Sequence, residues 1–131
     1  MPANEKYLIL MNKATNGLKS AIGLANMSPP QVYNACYHCQ QAVEKLLKAF
    51  MAFNQVRFRY IHNLDYLVKD CMNIDASFQE LMNHCTIINH YSSDVRYVDY
   101  YTITESEMHE AIQLTEEVFN FVSEKTQEGK I

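Results

Sequence analysis

The sequence predicts an all-α fold, an up-and-down bundle of four long helices plus one short helix. Two observations carry that expectation. Apolar residues recur in steps of three and four along four segments. Turn formers are scarce: 3 Gly and 3 Pro in 131 residues are too few for the many reversals of a sheet-rich fold. The length, with 48% hydrophobic residues, suits a single domain over 1–131 whose core needs neither metal nor disulfide.

The elements follow in chain order. The first segment places Leu8, Met11, Thr15, Leu18, Ile22 and Ala25 on one apolar face. It ends before Pro29-Pro30, because a proline bars the residue before it from helical geometry. The second aligns Val32, Cys36, Cys39, Val43, Leu46 and Phe50. Ser28 is its candidate N-cap, with the prolines in the first turn, where a missing N–H costs nothing. Leu64, Leu67 and Cys71 form a short third helix begun near Asn63. Phe78, Leu81, Cys85 and Ile88 form the fourth, capped by Asp75. The last aligns Met108, Ala111, Thr115, Val118 and Val122 and opens with the capping box Thr104-x-x-Glu107. Short connections make successive helices antiparallel neighbours, hence the bundle. The stretch 98–103 is expected to be an ordered aromatic loop, since a lone strand has nothing to pair with. Beyond about Glu124 the tail is expected to fray.

Charge narrows the function. Fifteen acidic against eleven basic residues give −4, which argues against bulk binding to DNA or to anionic membranes. The run Tyr7 to Met11 is far too short to span a bilayer, and its flanks do not resemble a signal peptide, so a cytoplasmic protein is expected. Against that balance, the stretch 31–62 carries Lys45, Lys48, Arg57 and Arg59 with Glu44 as its one acid. Beside His38 and His62, this is the place for an anionic ligand. Cys36 and Cys39 share the apolar face of the second segment, where a free thiol acts as a small hydrophobe. That reading is preferred to a zinc site with His38, because no second Cys-x-x-Cys exists. No metal or cofactor is expected. The glycines are isolated, so any nucleotide must be held by side chains rather than by a phosphate loop.

The second segment also bears a polar stripe, Tyr37, Gln41, Glu44 and Lys48, which with His38 suits a dimer interface. The string from His38 to Ala49 resembles the second helix of HEPN domains, whose pattern there is close to His-x-x-Gln-x-x-Glu-Lys. His62-Asn63-Leu64 is similar to the His-x-Leu opening that family's short helix. Asn89-His90-Tyr91 through Arg96-Tyr97-Val98-Asp99 is similar to its Arg-Tyr-Pro-Asp element, and the closing helix with Ala111 and Glu116-Glu117 also matches. The resemblance covers nearly the whole chain. It implies a helical bundle, frequent homodimers and two modes of action.

Some members of that family are metal-independent RNases, often toxins, built on an Arg and a His four to six residues apart. There the Arg stabilises charge on phosphate, and the His moves protons for attack by the ribose 2′-OH. Others lack the pair and bind nucleotides or partner proteins, commonly a small nucleotidyltransferase. Arg96 matches the Arg, but Tyr101, Thr102 and Ile103 fill the His slots, and Val98 replaces the Pro. The resemblance therefore implies a non-catalytic domain that binds a nucleotide or such a partner. Its binding residues would be Arg96, Tyr97, Asp99, Tyr101, His62, Lys48 and Lys45, with Tyr37, His38, Gln41 and Glu44 at a homodimer interface. The alternative is a toxin-like RNase acting on RNA through Arg96, with His62 as a non-standard proton carrier.

Overall fold

Among the described residues the periodicity resolves into five α-helices: α1 (Ala3–Ala25), α2 (Val32–Phe53), α3 (Leu64–Met72), α4 (Met82–Asn89) and α5 (Glu105–Lys125). A computed structural model describes residues 3–92 and 102–127, and among them there is no strand. The fourth expected helix is built in two parts, a 3-10 segment (Ala76–Leu81) running directly into α4. α2 is the central element. α1 packs along it as a long hairpin, α5 lies against it, and α3 and α4 close over its remaining side.

The core gathers Leu46, Leu47, Phe50 and Met51 of α2 against Leu64, Leu67, Phe78, Ile88, Met108 and Val118. Phe78 sits between Phe50 and Phe121, with ring centroids 4.2 and 5.0 Å away. Each such side chain contributes about 1.5–3 kcal/mol by leaving water. All four cysteines are buried in this core as free thiols. Burial pushes their pKa values up, to about 11 at Cys39 and about 12 at Cys36 and Cys85. They are therefore protonated hydrophobes at neutral pH.

Two of the expected caps form, and Asn63, near which the third helix was expected to begin, caps it as well. Asn63 Oδ1 accepts from the backbone N–H groups of Asp65 and Tyr66 at 2.9 and 3.3 Å, opening α3. Asp75 Oδ1 accepts from Ser77 N–H at 2.9 Å. Thr104 and Glu107 complete a reciprocal capping box at 3.1 and 2.9 Å. α2 differs: Gln31 stands at its N-cap without a side-chain capping bond, so Ser28 and both prolines lie outside the helix. The link is tied back to α1 instead, with Gln31 N–H donating to the Leu24 carbonyl at 3.0 Å.

α1 turns a different edge to the core than its large apolar residues suggest. Leu8 is 56% exposed and Ile22 36%, while Leu10, Ala14 and Ala21 are buried. Small residues decide this. A Cβ added at Gly17 would lie 3.4 Å from Ala42 Cβ, so Ala14, Gly17 and Ala21 let the α1 backbone approach α2 more closely than leucines would. Tyr7 Oη donates to Thr126 Oγ1 at 3.0 Å, and Lys125 pairs with Asp75 at 2.9 Å, so α5 is tied down at its end; the tail from 128 on lies outside the described residues. Of the stretch 98–103, only 102 and 103 fall among the described residues. Neither is strand, and Ile103 is buried.

Candidate functional site

Within the apolar interior, α2 carries a polar stripe at steps of four: Gln40, Glu44 and Lys48, all buried. It faces the link between α2 and α3, and the two are joined by hydrogen bonds. Gln40 Nε2 donates to the His62 carbonyl at 3.1 Å, and Gln41 Nε2 donates to Gln40 Oε1 at 2.7 Å. The link is thereby fixed at His62, one residue before the Asn63 cap starts α3.

Glu44 is the centre. Its carboxylate is 0% exposed, and both of its oxygens lie 3.0 Å from His62 Nδ1. Oε2 also receives Lys48 Nζ at 3.0 Å and Lys45 Nζ at 3.4 Å. Burial works to raise the Glu44 pKa. The hydrogen bonds from Lys48 and His62 and the charges of Lys45 and Lys48 outweigh it, so the group lies below the usual carboxylate value. Lys48 itself is nearly buried, and its ammonium lies 5.5 Å from the centroid of the Phe58 ring.

His62 has the opposite exposure. Its side chain is 78% accessible above a fully buried carboxylate. Because Glu44 accepts, Nδ1 carries the proton, and Nε2 becomes the basic nitrogen. Among the described residues, Nε2 has no hydrogen-bond partner. One carboxylate is thus surrounded by two ammonium groups and one imidazole, an arrangement with excess positive charge. It can hold a phosphate or carboxylate and can accept a proton at His62 Nε2.

The end of α4 stands beside the same link, since Asn89 Oδ1 accepts from Leu64 N–H at 2.9 Å. Four of the expected binding residues, Arg96, Tyr97, Asp99 and Tyr101, lie outside the described residues. Lys45, Lys48 and His62 are brought together. Glu44 does not join Tyr37, His38 and Gln41 on a surface stripe; it is buried beneath His62, and the other three line a separate cavity. Gln40, which positions the link, was not singled out by the sequence, and Asn89 entered only as the start of the family-like element. The available signal was the four-residue spacing Gln40, Glu44, Lys48, a polar stripe crossing a face that must be buried. Among the described residues, no three His, Cys, Asp or Glu side chains gather as metal ligands.

Comparison with known proteins agrees with this architecture. The family model described as HEPN domain matches residues 7–125. The crystal structure of TT1696 from Thermus thermophilus superposes with a TM-score of 0.79 at 23% identity, covering 95% of this chain and 99% of that one. ST0689, described as an archaeal HEPN homologue, superposes at 0.74 with 22% identity, covering 92% and 98%. At these identities the two structures speak for the fold alone. A search of curated proteins finds no match.

Proposed function

We propose, from the premise that this chain belongs to the HEPN domain family, that it is a non-catalytic binding domain. Its site would be the His62–Lys48–Lys45 surface, completed by Arg96, Tyr97, Asp99 and Tyr101. Its ligand would be the phosphate of a nucleotide, or an acidic side chain of a small nucleotidyltransferase partner. The observation that carries this reading is the charge excess at Glu44, where Lys45, Lys48 and His62 converge on one buried carboxylate. An incoming anion would meet the exposed imidazole first, and the fork of Arg96 could engage it through two hydrogen bonds. Titration calorimetry with ATP tests the reading. Arg96→Ala should weaken binding roughly ten- to a hundredfold, the loss of one charged hydrogen bond, and His62→Asn should weaken it too, each with at most a small change in melting temperature. A protein that neither binds ATP nor co-purifies with a nucleotidyltransferase would sink it.

One observation favours the RNase alternative. His62 is held by a buried carboxylate at Nδ1 and is open at Nε2, the arrangement of a general base. In that reading Nε2 takes the proton of a ribose 2′-OH as its oxygen attacks the neighbouring phosphorus. The imidazolium then returns the proton to the departing 5′-oxygen, while Arg96 stabilises the charge on phosphate. Cleavage of single-stranded RNA in chelator, lost in both Arg96→Ala and His62→Asn, would establish this chemistry over plain binding.

Assembly as a two-fold homodimer belongs to the same reading. The exposed apolar side chains Leu8 and Ile22 on α1 support it, and light scattering at micromolar concentration tests it. No helix among the described residues is long and apolar enough to cross a membrane. Free thiols in the core suit the cytoplasmic setting we assign.

A further inference from the structure

α1 packs along α2 with Leu10, Ala14 and Ala21 buried. On its outer side the pair opens into a cavity of about 370 Å³ with polar walls on both helices. α1 contributes Lys13, Asn16 and Ser20, and α2 contributes His38, Gln41 and Lys45, with Tyr37 at the margin. Gly17 and Ala42 line it too. Their lack of bulk lets the backbones approach at this level, so longer side chains one turn away on each helix become walls. The volume falls within the range of small-ligand sites, ~300–1,000 Å³.

The charge of this cavity runs against that of the molecule. The chain carries 15 acidic and 11 basic residues. Yet the walls hold two lysines, a histidine, two amides and a hydroxyl, and no carboxylate. Lys13 and His38 make no ion pair or hydrogen bond among the described residues, so their donors are open to a ligand. Lys45 is shared with the Glu44 cluster, 3.4 Å from its carboxylate. A helix–helix groove lined this way is matched to an anion, and Asn16, Ser20 and Gln41 can donate to the neutral part of the same molecule. The Tyr37 ring offers a flat apolar face at the margin.

We propose that this cavity is a binding site for a small phosphorylated ligand of mononucleotide size. It adjoins the site at His62 and shares Lys45 with it. The polar stripe of Tyr37, His38 and Gln41, expected from the sequence to fix a dimer register, is on this view one wall of a ligand pocket. The proposal does not depend on the binding reading for His62, because Lys13, Asn16 and Ser20 belong to the cavity alone.

Titration of the full chain with AMP, adenosine and inorganic phosphate tests it, with the Gly17 amide resonance followed by NMR as a local reporter. AMP should bind and shift Gly17. Adenosine should bind at least tenfold more weakly, because it lacks the phosphate. Lys13→Ala should weaken AMP roughly ten- to a hundredfold, as expected for one charged hydrogen bond, and Lys13→Glu should abolish it. The Gly17 resonance separates this cavity from the other site, because Gly17 lines the cavity and His62 does not. Lys13 is on the surface, so unchanged melting temperatures are expected for both variants. Three results overturn the proposal: no AMP binding by the wild type, AMP binding unaffected by Lys13→Glu, or adenosine binding as tightly as AMP.

Discussion

Glu44 and Asp75 are both carboxylates held below their ordinary pKa, and they reach that state by opposite means. At Asp75, a corner still partly open to water, the Ser77 hydroxyl and backbone N–H donate at 2.6 and 2.9 Å, and Lys125 pairs at 2.9 Å, bringing the pKa to about 2. Water still solvates that group, and its partners pin the end of α5 to the start of the 3-10 segment. At Glu44 water is gone. Lys48, Lys45 and His62 replace it against the cost of burial. A carboxylate partly open to water can lose a partner and be rehydrated, whereas a buried one cannot. Only at Glu44 does one partner, His62, reach from the interior to solvent, so structure and function share a single carboxylate there.

The largest expected effect breaks the buried member of the comparison. Glu44→Ala leaves Lys48, 8% exposed, with no countercharge, and should cost about 3–5 kcal/mol by urea denaturation. Combining it with Lys48→Met should recover much of that loss, because no buried charge remains. A single-variant loss below about 1 kcal/mol would place Glu44 with ordinary surface pairs.

The partly open member should respond less. Asp75→Ala removes the N-cap of the 3-10 segment and should cost about 1 kcal/mol. Its pH dependence has a definite sign. A carboxyl depressed from 3.8 to about 2 contributes its stability fully above about pH 4, and that contribution is lost as pH falls toward 2. Melting temperature against pH should therefore be less steep between pH 4 and 2 in Asp75→Asn than in the wild type. Glu44, also depressed, should keep a residual slope in the variant.

Much of this contrast could be read in the sequence, and its limits are physical. Asn63, Asp75 and the Thr104–Glu107 box are local signals, complete within four residues, and all three form. The second segment's core face is likewise local, and Val43, Leu46 and Phe50 are buried as the period requires. His62 was singled out, but its meeting with Glu44 spans 18 residues and depends on how the link folds back, which no periodicity encodes. The α1 face was misjudged because Ala14, Gly17 and Ala21 carry little hydrophobic signal, yet they set how closely two helices approach. The cavity between α1 and α2 was invisible for the same reason.

The link that bears His62 leaves α2 through Gln55, which adopts φ 59°, the left-handed region that glycine favours. Val56 N–H to the Met51 carbonyl at 2.9 Å and Gln55 N–H to the Ala52 carbonyl at 3.0 Å form a Schellman closure there. Gln55→Gly should relieve the side-chain penalty and stabilise the protein by about 0.5–1 kcal/mol in the same urea assay. A loss of stability would show that the Gln55 side chain contributes more than its backbone strain costs.

The smallest stability effect is expected at the most functional residue, and it bears most directly on the comparison. His62 touches the same carboxylate as Lys48, yet its ring is 78% exposed, so water can replace much of what it provides. His62→Asn should change stability by no more than about 0.5–1 kcal/mol, the scale of an exposed pair. Lys48→Ala should cost several times more, because it takes a nearly buried ammonium from a fully buried carboxylate. Measured in one denaturation series, the two variants separate the partner that holds the fold from the partner offered to a ligand. Equal losses would mean that His62 is a structural cap on Glu44. Its exposed Nε2 would then be incidental, and the binding role assigned to it would fall.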